Sequence, residues 1–409
     1  MKKTFKSLIN EDFEKILNSL IKFNIKPIFV GGCVRDFFLN NKSKDFDIEL
    51  YNIEKIELLE DILKDYGKCL LVGKSFGVLK FISNNKDLEI DFSLPRVEKK
   101  TGVFHTSYEV ILNPKMSFKK ASLRRDFTIN SIGYDYKNSQ FLDPNFGIKD
   151  LKSKKIRYIN KKTFIEDSLR VYRAVGFASR FDFKIEDKTL KLCKKIVKNG
   201  ELKFLAKERI FEEFKKIFLK SKKPSIALKY LEKLNILKTQ NKKSFDNLAK
   251  ILKRKKFDDS RKLKLFFSLL VKNSENKGKE EFINSFTDDK SFIKDVLFLS
   301  SLEFCEDEIF LKRLSFKTIL EDYFIFYEAL GIDKKFLKEA RLIAIQNNIL
   351  NNSLEVFICG KDLLNLGLKP SQKFKEYLDF CLNLQIEKNL TKDEILAKLK
   401  DELIRINNN

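Results

Sequence analysis

The chain has a single histidine, six scattered cysteines and no apolar run of bilayer length. With His105 alone, no centre that needs several imidazoles can be built. Cys33, Cys69, Cys193, Cys305, Cys359 and Cys381 are widely spaced and form no CxxC, so neither a zinc site nor a disulfide framework is indicated. Reduced thiols in a cytoplasmic protein are the simplest account. No stretch approaches the roughly 18–20 apolar residues that cross a membrane. The opening MKKTFKSLINEDFEKI reaches Glu11 and Asp12 before any apolar segment, so no signal peptide is expected. There is no fixed-period repeat and no low-complexity tract.

What is present in excess is positive charge. The 409 residues carry a formal +24, which points to a polyanionic partner, nucleic acid before membrane. Lys, Asn, Ile and Phe are abundant throughout, so part of that charge is compositional background. The length allows two or more domains with real cores.

The stretch IFVGGCVRDFFLNNKSKDFDIEL, Ile28 to Leu50, concentrates chemistry. Ile28-Phe29-Val30 reads as a buried strand stopping at Gly31-Gly32, and Cys33 to Leu39 turns helical. A strand feeding two glycines and a helix N-terminus suits a phosphate. In Asp45-Phe46-Asp47-Ile48, strand alternation puts both carboxylates on one face, a pair that favours a divalent cation, Mg²⁺. Taken singly, the glycines are an ordinary turn and the acids a solvated edge.

The chain then reads in order. Asn10 caps a helix with Phe13, Ile16, Leu17, Leu20 and Ile21 at helical spacing. Glu54 to Tyr66 reads as a second amphipathic helix stopped by Gly67. Short strands follow at Cys69–Gly73, Gly77–Ile82 and Leu88–Leu94, giving a mixed α/β region that ends near Leu151. In the last of these strands Glu89 and Asp91 share a face; either could supply a third carboxylate for two-metal phosphoryl transfer, and Asp91 is favoured. Arg124-Arg125-Asp126-Phe127-Thr128-Ile129-Asn130 offers forked donors for a triphosphate and an Asp or Asn for a ribose hydroxyl. Thr163-Phe164-Ile165-Glu166 has capping-box spacing, so a helix is expected from Thr163, with Asp167 and Arg170 on one face and Arg173 a turn later. A surface ion pair explains Asp167 and Arg170 equally well in isolation. From there on the chain reads as successive amphipathic helices, broken near Ser221–Pro224, Asn273–Gly278 and Asn347–Asn352. Lys184 to Lys223 holds 14 Lys/Arg against 6 Asp/Glu, a candidate basic surface or simply a solvated helix face.

GGCVRD with DFDIEL resembles the signature of DNA polymerase β-type nucleotidyltransferases. With RRDFTIN, EDSLRVYRAVGFASRF, the Glu208-Arg209-Ile210 to Phe214 segment, and a tail of Gly360-Lys361-Asp362-Leu363 and Leu366 to Pro370, the chain resembles the class II tRNA nucleotidyltransferase and bacterial poly(A) polymerase family. The resemblance is strong over residues 28–215 and moderate in the tail. It implies an α+β protein: a nucleotidyltransferase head with a mixed sheet (1–151), then an all-α neck (152–223), body (224–350) and tail (351–409). It implies template-independent addition of CMP and AMP, from CTP and ATP, to the 3′ end of tRNA, with Mg²⁺ and without an obligate protein partner. By carry-over, Asp45 and Asp47 bind the metal, with Asp91 as third catalytic acid. Gly32 and Arg35 hold the triphosphate, Arg124, Arg125 and Asp126 bind phosphate or ribose, Asp167 and Arg170 read the base, and Arg173 supports the nucleotide. Gly176 stands where the family pattern has a further arginine. The alternatives are a poly(A) polymerase, an enzyme adding only A, and a non-catalytic RNA-binding protein. Val72 to Gly77 lacks the arginine-rich run of the polymerase, and Arg96 to Tyr108 is long enough for the loop that the final A requires. Some relatives carry an HD phosphohydrolase domain, whose metal site a lone histidine cannot form.

Overall fold

A computed structural model describes residues 4–43, 45–53, 55–73, 77–100, 108–273 and 278–407. Two compact units emerge, 1–238 and 239–409.

The first unit is built on a seven-stranded sheet. Its early elements are α1 (Glu11–Lys22), β1 (Lys26–Val30), α2 (Gly32–Phe38), β2 (Phe46–Tyr51), α3 (Leu58–Leu63), β3 (Gly67–Gly73), β4 (Val78–Ser83) and β5 (Glu89–Ser93). A separate hairpin, β6 (Arg96–Lys100) with β7 (Tyr108–Leu112), precedes α4 (Phe118–Ser122), β8 (Gly133–Asp135), β9 (Gln140–Leu142) and α5 (Gly147–Lys152). The sheet order is β3-β4-β5-β2-β1-β8-β9. The one parallel pair, β2 with β5, sets Asp47 beside Asp91, while antiparallel β1 sets Val30 beside Asp47. The three central strands therefore bring the end of the Ile28–Val30 run, Asp47 and Asp91 side by side.

The remainder of this unit is helical apart from a two-residue parallel pairing of β10 (Lys155–Ile156) with β11 (Lys184–Ile185). The helices are α6 (Lys161–Glu166), α7 (Arg170–Phe181), α8 (Asp187–Lys198), α9 (Lys207–Lys220) and α10 (Pro224–Lys233). In the second unit the described residues are helices and connecting loops. One buries Leu320, Tyr323, Phe324, Ile325 and Phe326. Near the C-terminus Ile358, Leu363, Cys381, Ile395 and Leu399 form a separate small core. Gly360-Lys361-Asp362-Leu363 opens a helix there, with Asp362 accepting from the Cys359 N–H at 2.8 Å.

Local chemistry explains most boundaries. Asn10 accepts from the Phe13 N–H and starts α1, whose Phe13, Ile16, Leu17 and Leu20 are buried. The expected helix from Glu54 to Tyr66 is shorter, Leu58–Leu63, and Gly67 is not its stop. Gly67 opens β3, because a Cβ there would fall 2.2 Å from the Ile82 carbonyl oxygen of the paired strand. The helix expected from Thr163 begins instead at Lys161, because Asn160 accepts from the Lys162 and Thr163 N–H groups. It ends at Glu166. Asp167 is extended, with its carboxylate accepting from the Leu169 N–H at 3.3 Å, a local bond that competes with helix continuation. Arg170 then opens α7, so Asp167 and Arg170 are not on one helix face but flank a break. Of the segment from Arg96 to Tyr108, the start is strand β6; residues 101–107, His105 among them, lie outside the described residues. So does 74–76 of the Val72–Gly77 run.

Under the sheet, Phe5 is 2% exposed and packs edge-on against Phe29, Phe37 and Phe141, with Tyr134 at 4.4 Å. This short N-terminal turn closes the core beneath β1. Phe5→Ala should therefore cost about 3–5 kcal/mol, read as a lowered denaturant midpoint for the first unit with unchanged secondary structure.

Candidate active site

Gly31 occupies φ +74°, a conformation that other residues adopt at a cost. A Cβ there would sit 3.0 Å from the Asp47 Oδ2 and 3.6 Å from an Arg125 nitrogen. The GG turn is thus the point where the acidic strand β2, the arginine motif and the start of α2 meet. Beside it lies a cavity of about 410 Å³ lined by Gly31, Gly32, Arg35, Asp47, Arg96, Arg124, Arg125, Asp126, Asn130, Asp167, Arg170, Arg173 and Phe177. Six arginines face three aspartates, so the cavity is strongly positive. Asp45 and Asp91 are absent from the lining.

Asp45 lies one residue ahead of β2, on its exposed end. Asp47 and Asp91 are register neighbours. Burial pushes the Asp47 carboxyl above its ordinary range; the Asp91 and Asp45 charges add to this, and Arg125 and Arg35 oppose it. Like charges held together in this way fit a divalent cation, whose arrival removes the repulsion. Among the described residues no three His, Cys, Asp or Glu side chains converge on one point, so the acids form a face for an ion and not a closed cage. Glu89 is taken up by Lys80 at 2.6 Å, which leaves Asp91 as the acid free to serve beside Asp47.

Asp126 is 7% exposed and accepts from four donors. These are the Phe127 N–H (2.7 Å), Asn130 Nδ2 (2.9 Å), and Arg173 Nε (2.8 Å) and Nη2 (2.6 Å). Burial alone would raise its carboxyl; Arg173, Asn130 and Arg170 outweigh that and hold it below the usual carboxylate range. Asn130 in turn accepts from Arg35 at 2.7 Å. Arg35 also donates twice to Asp36, at 3.0 Å each, and stacks on Phe181 and Phe177 at 4.8 and 5.4 Å. Both Asp126 and Arg35 border the cavity, but most of their hydrogen bonds go to protein. Arg170 donates to the backbone carbonyls of Arg124 (2.7 Å) and Arg125 (3.5 Å). Asp167 has Arg209 at 3.4 Å.

Sequence reasoning missed Glu49 and Phe177. Glu49 is fully buried and binds Arg124 at 2.7 Å and Arg125 at 3.0 Å. Its signal was present: alternation along β2 puts Glu49 on the same face as Asp45 and Asp47. Phe177 lies four residues after Arg173, one helical turn on. Gly176 leaves ordinary contact room beside Ile217, 3.5 Å from a Cβ.

Two family models match. Residues 28–157 fit "Poly A polymerase head domain", and residues 182–241 fit "Probable RNA and SrmB- binding site of polymerase A". A CCA-adding enzyme of Francisella tularensis subsp. novicida is 30% identical, over 84% of this chain and 96% of its own. The chain belongs to the class II CCA-adding enzyme and poly(A) polymerase family. A multifunctional CCA protein of Mannheimia succiniciproducens is 36% identical over 217 residues, 52% of this chain and 49% of that protein. The chain likewise spans about half the length of several further relatives. Among solved structures, the CCA-adding enzyme of Bacillus stearothermophilus in complex with CTP superposes with a TM-score of 0.73 at 19% identity, covering 98% of this chain and 100% of that one. That likeness establishes the family fold, with its mixed-sheet head and helical remainder.

The Asp126–Arg173 pair sets a pH dependence. A carboxyl depressed by folding stabilises the native state above its unfolded pKa, about 3.9, and that contribution disappears as pH falls through the lower folded value. Asp126→Asn should destabilise by about 1.5–3 kcal/mol at pH 7. The gap between variant and wild type should narrow below about pH 4, as measured by denaturant unfolding across that range.

Proposed function

We propose that this chain is a template-independent RNA nucleotidyltransferase that adds CMP and AMP, from CTP and ATP, to the 3′ end of tRNA. The observation that carries the reading is the cavity itself. It combines arginine charge for a triphosphate with Asp47, Asp167 and Arg170 in its lining, and Asp91 neighbours Asp47 on the next strand, a pair suited to a cation. Within this reading the chain divides into head (1–151), neck (152–223), body (224–350) and tail (351–409).

The chemistry follows from the side chains. Asp45 and Asp47 would hold Mg²⁺, with Asp91 as the third acid beside them; the ion when bound neutralises charge on the entering and leaving oxygens of phosphoryl transfer. Gly32 of the GG turn, Arg35, Arg124 and Arg125 would cradle the triphosphate, with Asp126 and Arg173 holding that wall in place. The RNA would meet basic surface elsewhere. A further cavity of about 550 Å³ is lined in part by Arg180 and by Lys220, Lys222 and Lys223, at the end of the lysine-rich stretch from Lys184. The work on tRNA would take place in the cytoplasm; among the described residues no helix is long and apolar enough to cross a membrane.

Base choice would rest on hydrogen-bond polarity. Cytosine and adenine both present an amine donor beside a ring-nitrogen acceptor; uracil and guanine present the reverse. An ionised Asp only accepts and an Arg only donates, so Asp167 and Arg170 match C and A together and oppose U and G. Two donors of Arg170 already bind backbone carbonyls, which fixes the plane of the remaining ones.

The direct test incubates the pure protein and Mg²⁺ with tRNA lacking its CCA end, ending in CC, or complete, plus CTP and ATP. Addition of CCA to the first and A to the second is expected. A alone to the second indicates an A-adding enzyme, and long A tails a poly(A) polymerase.

Asp47→Asn should slow transfer on the order of a thousandfold, with an unchanged thermal midpoint. Turnover near wild type in Mg²⁺ would remove it from the metal site. Asp167→Ala or Arg170→Ala should lose discrimination against UTP and GTP as well as rate. Incorporation of all four nucleotides at saturating RNA reads this directly, and an unaltered preference for CTP and ATP in both variants would place base reading elsewhere.

A further inference from the structure

We propose that Glu49 is a positioning residue that holds Arg124 and Arg125 as a preformed clamp for the triphosphate of the incoming nucleotide. This rests on the nucleotidyltransferase reading above. Glu49 has no exposed surface, so it touches no ligand itself. It stands two residues beyond Asp47 on the same face of β2, directly behind the cavity wall. Its Oε1 accepts from Nη2 of Arg124 at 2.7 Å and from Nη2 of Arg125 at 3.0 Å, and its Oε2 accepts from the Tyr51 hydroxyl at 2.9 Å. One carboxylate oxygen therefore sets the position of both guanidinium groups, and a tyrosine sets the carboxylate.

One buried carboxylate holds two guanidiniums, both bordering the cavity, where Asp47 also acts on Arg125. The Nε of Arg125 is buried with no hydrogen-bond partner, so the protein leaves this guanidinium incompletely satisfied. Glu49 holds each arginine through its Nη2, and both guanidiniums border the cavity. Without Glu49, the two like charges would repel and their long side chains would regain rotamer freedom, so binding would have to pay to order them again. A carboxylate that merely balanced buried charge would contribute to folding and leave ligand affinity alone.

The experiment measures equilibrium binding of CTP and of pyrophosphate, RNA affinity and thermal midpoint for Glu49→Ala, Glu49→Gln and Tyr51→Phe in the full chain. Glu49→Ala should weaken CTP and pyrophosphate in parallel by about tenfold or more. RNA affinity should stay within about twofold, since its phosphate contacts lie elsewhere. Glu49→Gln should restore most of the affinity, because the amide oxygen still accepts from both arginines while the Tyr51 hydroxyl turns to accept from the amide nitrogen. CTP affinity unchanged in Glu49→Ala, or CTP and RNA weakened equally, overturns the proposal. Should Glu49→Ala fail to fold, Tyr51→Phe removes one of the three bonds and should weaken CTP binding about threefold; unchanged binding then overturns it. Because binding is read without turnover, a chain that grips triphosphates in this way yet transfers none would refute the transferase reading alone.

Discussion

The buried carboxylate of Asp126 is the interaction on which the site depends. It takes four hydrogen bonds, two of them from Arg173 of α7, and through Asn130 it reaches Arg35 of α2. A helix that starts at the GG turn and a helix that starts at Arg170 are thereby fixed to the same short loop. Burying a carboxylate is costly unless it is paired and fully hydrogen-bonded. Here every contact that offsets the cost also orients a wall of the cavity, so stability and site geometry share one set of bonds.

A second carboxylate repeats the device at the other wall. Glu49 does for Arg124 and Arg125 what Asp126 does for Arg173, and Arg170 ties the two by donating to the backbone between them. Arginines that line the cavity are thus held by buried acids. Gly31 completes the arrangement by removing the one Cβ that would intrude between Asp47 and Arg125.

Much of this was legible in the residues. Strand alternation placed Asp47, the GG turn was recognisable, and nine of the eleven residues singled out from sequence line one cavity. What misled was capping: Thr163 and Glu166 have the spacing of a helix start, yet Asn160, three residues earlier, has the better-placed side chain and takes both N–H groups. Asp167 then bonds locally and breaks the helix, which no periodicity reports. Gly67 looked like a helix stop because glycine serves that role as readily as close strand approach. Glu49 was overlooked because a buried acid inside DFDIEL reads as one more solvated charge until its two arginines, 75 and 76 residues away, are brought to it.

The kind of positive charge in the cavity carries a consequence of its own. Of the 82 basic residues only 14 are arginine, yet the cavity is lined by six arginines and no lysine. Guanidinium does not deprotonate in proteins, whereas lysine amines do so near pH 10 and are open to acylation. Acetylation of lysine, or strongly alkaline solution, would therefore strip the outer surface of most of its positive charge and leave the cavity's intact. The two layers of charge are chemically separable, one adjustable by modification and the other permanent.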